Sequence, residues 1–231
     1  IVTNIGTVHA ERAGSIEVIA EGKSELVQAL PPAPEGVAIL NYDDERVLAM
    51  AAKTSARVFT YGLCPQADLW ADQVESMGLE GIRCRIHYKD EEFYVTAPLI
   101  GRHSVYTMLR SAAAALSLGF SWDWIFYALK TSNLQLRIAT TKTASGALLI
   151  DDTYNASPDS TLAALNLLDD LTGRKVAVLG DMLELGQYEE DGHQRVGIRA
   201  AQVADEIVLV GQRSLQTQAA ALESGFSANK I

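Results

Sequence analysis

Short apolar runs alternate with amphipathic segments along the first third of the chain. The run IVTNI at residues 1–5 predicts a buried strand, and the apolar spacing over residues 16–30 predicts a helix. The segment GVAILNYDDERVLAMAAK at residues 36–53 predicts a strand, a polar loop and a helix, and RVFTYG at residues 57–62 predicts another strand. Strands that alternate with helices indicate an α/β fold.

The middle of the chain changes pattern. Two alternating segments within residues 80–97 flank the polar turn KDEE and predict an antiparallel hairpin. Two helices are expected next, over GRHSVYTMLRSAAAALSLG and over SWDWIFYALKTS, the second with Ser121 at its start.

The strand–helix alternation resumes after the polar stretch from Thr140 to Gly146, where we place a domain boundary between residues 1–140 and 141–231. A β-α-β-α-β-α series predicts a parallel sheet with right-handed crossovers. Its elements are expected at GALLI, residues 160–171, KVAVLG, residues 190–204, EIVLVG and residues 213–223.

Composition narrows the functional classes. The 231 residues are 48% apolar and carry a net charge of −10, which argues against nonspecific binding to nucleic acid or anionic membranes. No apolar run approaches the roughly 18 residues of a membrane-spanning helix. Cys64 and Cys84 form no CxxC pair or disulfide framework, which suggests the cytoplasm. Because the chain starts at Ile1 and ends after a helical run, we expect both ends to be internal to a longer protein.

Two polar loops follow predicted strands of the second domain. Asp151 and Asp152 come after one strand, and Asp181 and Glu184 come after the next. Open α/β sheets bind ligands at the carboxyl ends of their strands, so these loops suggest a site. Asp, Asn, Ser and Pro also favour turns and helix starts, and that explanation accounts for part of the first loop.

The segment TNIGTVHAERAGS places His9 after a strand, and Lys23 follows 14 positions later. On spacing alone, each is more simply a surface or packing residue. The segment resembles the Mur ligase family, whose central domain carries TNI-x-x-x-H and a downstream lysine. The resemblance implies that His9 binds Mg²⁺ and that CO₂ carbamylates Lys23. The carbamate oxygens would then help to hold this oxygen-preferring cation.

The segment Gly101-Arg102-His103 opens a predicted helix, where free backbone N–H groups favour anions. The family usually has GRHN and a second Asn three residues later, and these asparagines contact adenine. Ser104 and Thr107 occupy those positions here, and a hydroxyl cannot offer the paired donor and acceptor of an amide. The resemblance nevertheless makes His103, Ser104, Thr107 and Arg137 the candidate nucleotide-binding residues, with Arg137 directed to the phosphates.

The segment DDTYNASPDS resembles DDTYNANP, a signature of the family members that add D-alanyl-D-alanine. It implies that Asp152 holds the nucleotide ribose and that Asn155 and Ser157 lie near the dipeptide. LGDMLELG resembles the family's LG-x-M-x-ELG. Asp181 and Glu184 then either place the cationic amine of the acceptor or serve a helix terminus. His193 also matches a family position, without an assigned role.

The resemblance covers nearly the whole chain but starts downstream of the glycine-rich phosphate loop, and GxxxxGK[ST] does not occur in these residues. We therefore expect a partial nucleotide-binding domain of the P-loop type, followed by a partial Rossmann-like acceptor domain, and no ligase activity from these residues alone. The implied reaction uses ATP and Mg²⁺ to join UDP-muramoyl tripeptide to D-alanyl-D-alanine. We expect the protein to be a monomer. Two alternatives remain: another amide ligase of the superfamily, such as a folylpolyglutamate synthase, or a noncatalytic nucleotide-binding module.

Overall fold

Strands and helices alternate along residues 1–131 and 139–231, the part of the chain that the computed structural model describes. The strands are β1 (Val37–Asn41), β2 (Arg57–Gly62), β3 (Leu69–Ser76), β4 (Ile82–Tyr88), β5 (Glu91–Ala97), β6 (Ala139–Lys142), β7 (Leu148–Asp151), β8 (Val176–Gly180) and β9 (Glu206–Val210). The α-helices are α1 (Ala10–Ala13), α2 (Ile16–Gln28), α3 (Glu45–Leu48), α4 (Ser104–Ser117), α5 (Trp122–Thr131), α6 (Pro158–Asp170), α7 (Glu189–Val203) and α8 (Ser214–Glu223). The predicted α/β class is confirmed.

The chain divides into two units. Unit one contains Ile1–Gly6 and the described residues of Ser15–Asn133, and unit two contains Thr7–Gly14 and the described residues of Leu134–Ile231. The short segment Thr7–Gly14 thus belongs with residues far along the sequence.

Unit one contains a five-stranded sheet in the order β1-β2-β3-β4-β5. The first three strands are parallel, and β4 and β5 form the predicted antiparallel hairpin. We did not predict β3, whose burial alternates at its start and fades toward Ser76. The expected strand at residues 1–5 is reduced to a single parallel bridge between Val2 and Leu40.

The core of unit one forms where α4 packs against this sheet. Met108, Leu109 and Ala112 on one face of α4 are at most 1% exposed, because apolar residues three and four positions apart lie on the same side of a helix. The packing fixes the direction in which α4 begins, and therefore the position of the GRHS segment.

In unit two, β8 and β9 are parallel, with Val176 opposite Glu206 and Gly180 opposite Val210. The prediction that the GALLI strand joins this parallel sheet is wrong, because β7 pairs antiparallel with β6. The tight turn between them explains the pairing: Thr143 N–H donates to Ala147 O at 2.8 Å, and Gly146 has φ +85°. A local hairpin thus satisfies the backbone of β7 without the sheet.

Crossing a bilayer needs a long, apolar helix, and none of the helices described for residues 1–131 and 139–231 meets that requirement.

Candidate functional site

His9 and Glu184 meet within unit two. His9 precedes α1 with φ 67°, and its Nδ1 hydrogen-bonds a carboxylate oxygen of Glu184. The guanidinium of Arg12 lies 2.7 Å from the other oxygen, and Glu11 N–H donates to the main-chain oxygen of Glu184 at 3.1 Å. The hydrogen bond from His9 and the charge of Arg12 hold the pKa of the Glu184 carboxyl below its usual value. Because Nδ1 is engaged, a metal ion would bind His9 through Nε2.

Lys23 extends from α2 in unit one, and its ammonium donates to the main-chain oxygen of Asn4 at 2.9 Å. Among the described residues, no group of three or more His, Cys, Asp or Glu side chains could hold a metal ion. Mg²⁺ commonly takes only one or two protein ligands and fills its shell with phosphates and water. Each residue, taken within its own unit, is chemically suited to Mg²⁺: His9 offers a ring nitrogen, and a carbamylated Lys23 would offer oxygen atoms.

The GRHS segment forms the start of α4 in unit one. Gly101 has φ +82°, and a Cβ there would lie 2.6 Å from the ring of His103, so glycine permits this turn. The hydroxyl of Ser104 donates to Ile100 O at 2.6 Å. Ser104 can thus accept a hydrogen bond from a base but cannot donate one without breaking this contact. Thr107 lies one turn further along, half-buried.

Asp43 is a structural residue of this region to which we assigned no role, although it lies in the polar loop after β1. Its carboxylate accepts hydrogen bonds from Leu63 N–H at 2.6 Å, Cys64 N–H at 3.1 Å and the Tyr106 hydroxyl at 2.9 Å. Burial and the contact with Asp43 raise the pKa of Tyr106. Asp43 therefore ties the end of β2 to the first turn of α4. The adjacent acids in YDDE were the only indication in the sequence that this loop has a structural role, and their hydrogen-bond partners could not be predicted from it.

The DDTYNASPDS segment follows β7 in unit two. The Asp151 carboxylate accepts from the Thr153 N–H at 3.1 Å and hydroxyl at 2.7 Å, and these bonds lower its pKa. Ser157 accepts from Ser160 N–H and caps α6 in a reciprocal capping box. The turn and capping explanation is thus correct for Asp151 and Ser157. Asp152 is half-buried and Asn155 is exposed.

The LGDMLELG segment follows β8. Asp181 accepts from Ser214 N–H at 2.9 Å and so caps α8, and a Cβ on Gly211 would lie 2.3 Å from its carboxyl. For Asp181 the structure supports the helix-terminus alternative, although the helix is α8 rather than α7, the next in sequence. Met182 and Leu185 are at most 2% exposed and anchor the loop in the core. Glu184 is held by His9 and Arg12, and Arg137 lies outside the described residues.

Comparison with known proteins decides the family. The model of the Mur ligase middle domain matches residues 1–115, and that of the Mur ligase glutamate ligase domain matches residues 136–230. The chain belongs to the Mur ligase family. The resemblance drawn from the sequence motifs is confirmed.

Three relatives show how far the similarity reaches. The chain is 38% identical to the UDP-N-acetylmuramoyl-tripeptide–D-alanyl-D-alanine ligase of Mycobacterium tuberculosis over 91% of its own length and 43% of that protein. It is similar to the structure of MurF from Acinetobacter baumannii, with TM-score 0.83 and 31% identity, over 94% of the chain and 47% of that structure. The MurF ligase of Thermotoga maritima, solved with ADP, has TM-score 0.77 and 23% identity over 93% of the chain and 49% of that structure, and so supports the fold alone. The chain spans less than half the length of each relative.

Proposed function

We propose that the whole protein to which these residues belong is an ATP-dependent ligase that joins D-alanyl-D-alanine to UDP-N-acetylmuramoyl tripeptide. The observation that carries the proposal is the 38% identity to a ligase of that name over 91% of the chain. The DDTYNASP segment agrees with it, since it resembles the signature of the dipeptide-adding members. Because the chain spans 43% of that relative, activity and substrates are proposed for the whole protein.

The proposed reaction has two steps. A carboxylate oxygen of the tripeptide attacks the γ-phosphorus of ATP, which forms an acyl phosphate and releases ADP. The neutral amine of D-alanyl-D-alanine then attacks the acyl carbon, forms the amide, loses a proton and expels phosphate. Activation is needed because a free carboxylate is a poor electrophile, and the protein contributes mainly positioning and charge stabilisation.

The proposed nucleotide-binding residues are Asp152, His103, Ser104, Thr107 and Arg137. A carboxylate such as that of Asp152 accepts hydrogen bonds from vicinal ribose hydroxyls. The Ser104 hydroxyl donates to Ile100 O, so we propose that it meets the base as an acceptor or through water. ADP in the Thermotoga maritima structure supports a nucleotide in this fold.

The proposed acceptor-binding residues are Asn155, Ser157, Asp181 and Glu184. Asn155 is exposed and can offer both a donor and an acceptor to a dipeptide. Ser157 and Asp181 already cap α6 and α8, so we propose that they shape the site mainly by placing those helices. Glu184 is ionised at neutral pH and places negative charge where a cationic amine would be attracted.

We propose Mg²⁺ as a second cofactor, with His9 Nε2 and a carbamylated Lys23 among its ligands. When bound, the cation would offset the negative charge of the transferred phosphoryl group. The Lys23 ammonium now donates to Asn4 O, and carbamylation would replace that positive charge with an anion.

We also propose that the protein acts in the cytoplasm as a monomer. The reaction consumes ATP, and Cys64 and Cys84 are free thiols. Sedimentation equilibrium of the whole protein checks the monomer, and a concentration-dependent mass would contradict it.

The test is phosphate release by the whole protein with ATP, Mg²⁺ and UDP-N-acetylmuramoyl tripeptide, with and without D-alanyl-D-alanine. We expect release to depend on the dipeptide. Asp152→Asn should raise the KM for ATP roughly tenfold, the cost of losing charged hydrogen bonds to the ribose. Asp151→Asn is the matched control, because that exposed acid is engaged by Thr153 and should change the KM less than twofold, roughly within measurement error.

Two outcomes contradict the proposal. If a single amino acid restores release and the dipeptide does not, the protein is a different amide ligase of the superfamily. If no acceptor produces release, the replacement of two asparagines by Ser104 and Thr107 marks a noncatalytic nucleotide-binding module.

A further inference from the structure

A buried histidine lies directly beneath the loop Asp181–Gly186, which we name the acidic loop. His193 on α7 is 0% exposed. Its Nε2 accepts a hydrogen bond from Met182 N–H at 3.3 Å, and its Nδ1 lies 2.9 Å from the Thr217 hydroxyl on α8. Because a main-chain N–H can only donate, Nε2 must carry a lone pair, so the proton of the neutral ring is on Nδ1 and points to Thr217.

The helices around His193 pack closely because two glycines on α7 leave room for them. A Cβ on Gly197 would lie 2.4 Å from Thr217 O, so glycine lets α8 approach α7 closely. A Cβ on Gly192 would lie 2.7 Å from Pro158 at the start of α6. Thr217 is 2% exposed, so both ring nitrogens have buried partners and neither is left to water.

Charge on the ring would break the contact with the loop. A proton on Nε2 would turn this acceptor into a donor, and it would then oppose the Met182 N–H. Burial lowers the pKa of His193, and the positive charge of Arg213 at the start of α8 acts in the same direction. The negative charges of Glu189 on α7 and Asp181 in the loop act in the opposite direction, and the net shift of the pKa is downward.

We propose that His193 is a positioning residue that fixes the main chain of the acidic loop and, through it, the carboxylates of Asp181 and Glu184. Two successive residues then hold the loop by hydrogen bonds: the Asp181 carboxylate accepts from Ser214 N–H, and Met182 N–H donates to His193. Ser214 and Thr217 both lie in the first turns of α8, so the loop and α8 are held in one register. This inference rests on the proposed function only where it assigns the held carboxylates to the acceptor.

The first experiment tests the attachment without any assay of activity. Amide hydrogen exchange of Met182 is measured in the 231-residue chain and in His193→Leu, which removes the acceptor. We expect exchange at Met182 to be roughly tenfold faster or more, since one buried hydrogen bond is lost. His193→Gln should restore slow exchange, because its amide oxygen can take the place of Nε2. Equal exchange in the parent chain and His193→Leu would overturn the inference.

Thr217→Val provides a test if His193→Leu fails to fold. It keeps the shape of the threonine but removes the hydroxyl that receives the ring N–H. The ring N–H then loses its buried acceptor, and we expect a smaller acceleration at Met182, while ¹⁵N-labelled imidazole still shows the Nδ1–H tautomer that the Met182 N–H requires. An Nε2–H tautomer with unchanged exchange at Met182 in Thr217→Val would overturn the inference, because Nε2 could then not be the acceptor.

The second experiment uses the whole protein. His193→Leu should raise the KM for D-alanyl-D-alanine roughly tenfold while the KM for ATP stays within about twofold, and His193→Gln should restore it. Val203→Ala, a buried residue at the end of α7, is the matched control for lost stability alone. Equal changes of both KM values in His193→Leu, or the same pattern in Val203→Ala, would overturn the link to the acceptor. No dipeptide-dependent release by the unaltered protein would instead refute the proposed function, while the exchange result at Met182 would still decide the attachment.

Discussion

The carboxylate of Glu184 binds the imidazole of His9, although the two residues are 175 positions apart in the sequence. Arg12 binds the second oxygen of the same carboxylate, so Glu184 is enclosed by two nitrogen donors. This arrangement joins the segment Thr7–Gly14 to the LGDMLELG segment inside unit two. It also means that substitution of Glu184 changes the surroundings of His9, so an effect of Glu184 on activity does not by itself identify an acceptor-binding residue.

The titration of Glu184 provides a direct check of this contact. We expect its carboxyl pKa to lie below the ordinary 4.5 and to rise toward that value in His9→Ala and in Arg12→Ala. The lowered pKa stabilises the folded chain above pH 4.5, and the contribution is lost as the pH falls through the folded-state pKa. Carbon-detected NMR of labelled glutamate side chains measures it. An unchanged titration in His9→Ala would contradict the contact.

Ser157 allows capping to be separated from substrate binding. Ser157→Ala should lower the free energy of unfolding by about 1 kcal/mol, because it removes the N-cap of α6. Ser157→Asp keeps a cap and should retain most of that stability. Urea denaturation of the 231-residue chain measures both. If Ser157→Asp restores stability but the whole protein still binds the dipeptide poorly, Ser157 also contacts the acceptor.

Local pattern was enough to predict most of the elements. The KDEE turn between two alternating segments predicted the β4–β5 hairpin, and the apolar spacing predicted α2, α4, α6, α7 and α8 close to their observed bounds. These features depend on residues near each other in sequence. The partner of β7 is also local, but the exposed Leu149 and the turn at Gly146 are compatible with either a hairpin or a strand of the parallel sheet. Periodicity alone could not choose between them.

The contacts between the site residues could not be predicted from the sequence either. Asp43, Asp181 and Glu184 were visible as acids in polar loops, but their partners Tyr106, Ser214 and His9 lie on distant segments. His193 was visible only as a match to a family position. Its role follows from burial and from the donor that faces it, and both are properties of the packed helices.

Gly197 tests how closely α7 and α8 must approach. Gly197→Ala would bring a Cβ within 2.8 Å of the Ala220 Cβ as well as the Thr217 oxygen, and we expect a loss of about 1–3 kcal/mol in unfolding free energy. Gly22→Ala is the matched control, since a Cβ at this exposed position in α2 meets nothing within 4 Å. It should gain up to about 1 kcal/mol from helix propensity. A stable Gly197→Ala chain would show that the two helices can separate at little cost.

Carbamylation of Lys23 can be observed directly. We expect the whole protein, supplied with ¹³C-labelled bicarbonate, to show a carbamate carbon signal that is missing in Lys23→Arg. The reaction requires a neutral amine, which an arginine side chain does not supply, so Lys23→Arg should remove the signal. Lys53→Arg is the control, because the ammonium of Lys53 is paired with Glu21 and should not contribute. The same signal in wild type and Lys23→Arg would refute the modification at this site.

His193 should make the chain sensitive to mild acid. Its pKa is lowered from 6.5 by burial, so the unfolded chain binds a proton at a higher pH than the folded chain does. Stability from the neutral ring is complete above pH 6.5 and is lost progressively as the pH falls toward the folded-state pKa. Urea midpoints are measured for the parent chain and for His193→Gln, from above pH 6.5 down to about pH 5. Their difference isolates the contribution of His193 to stability, because both chains contain the same carboxylates. Val203→Ala should lower the urea midpoint at every pH without changing how the midpoint depends on pH. Parallel plots of midpoint against pH for the parent chain and His193→Gln would show that the pKa of His193 is the same in the folded and unfolded states.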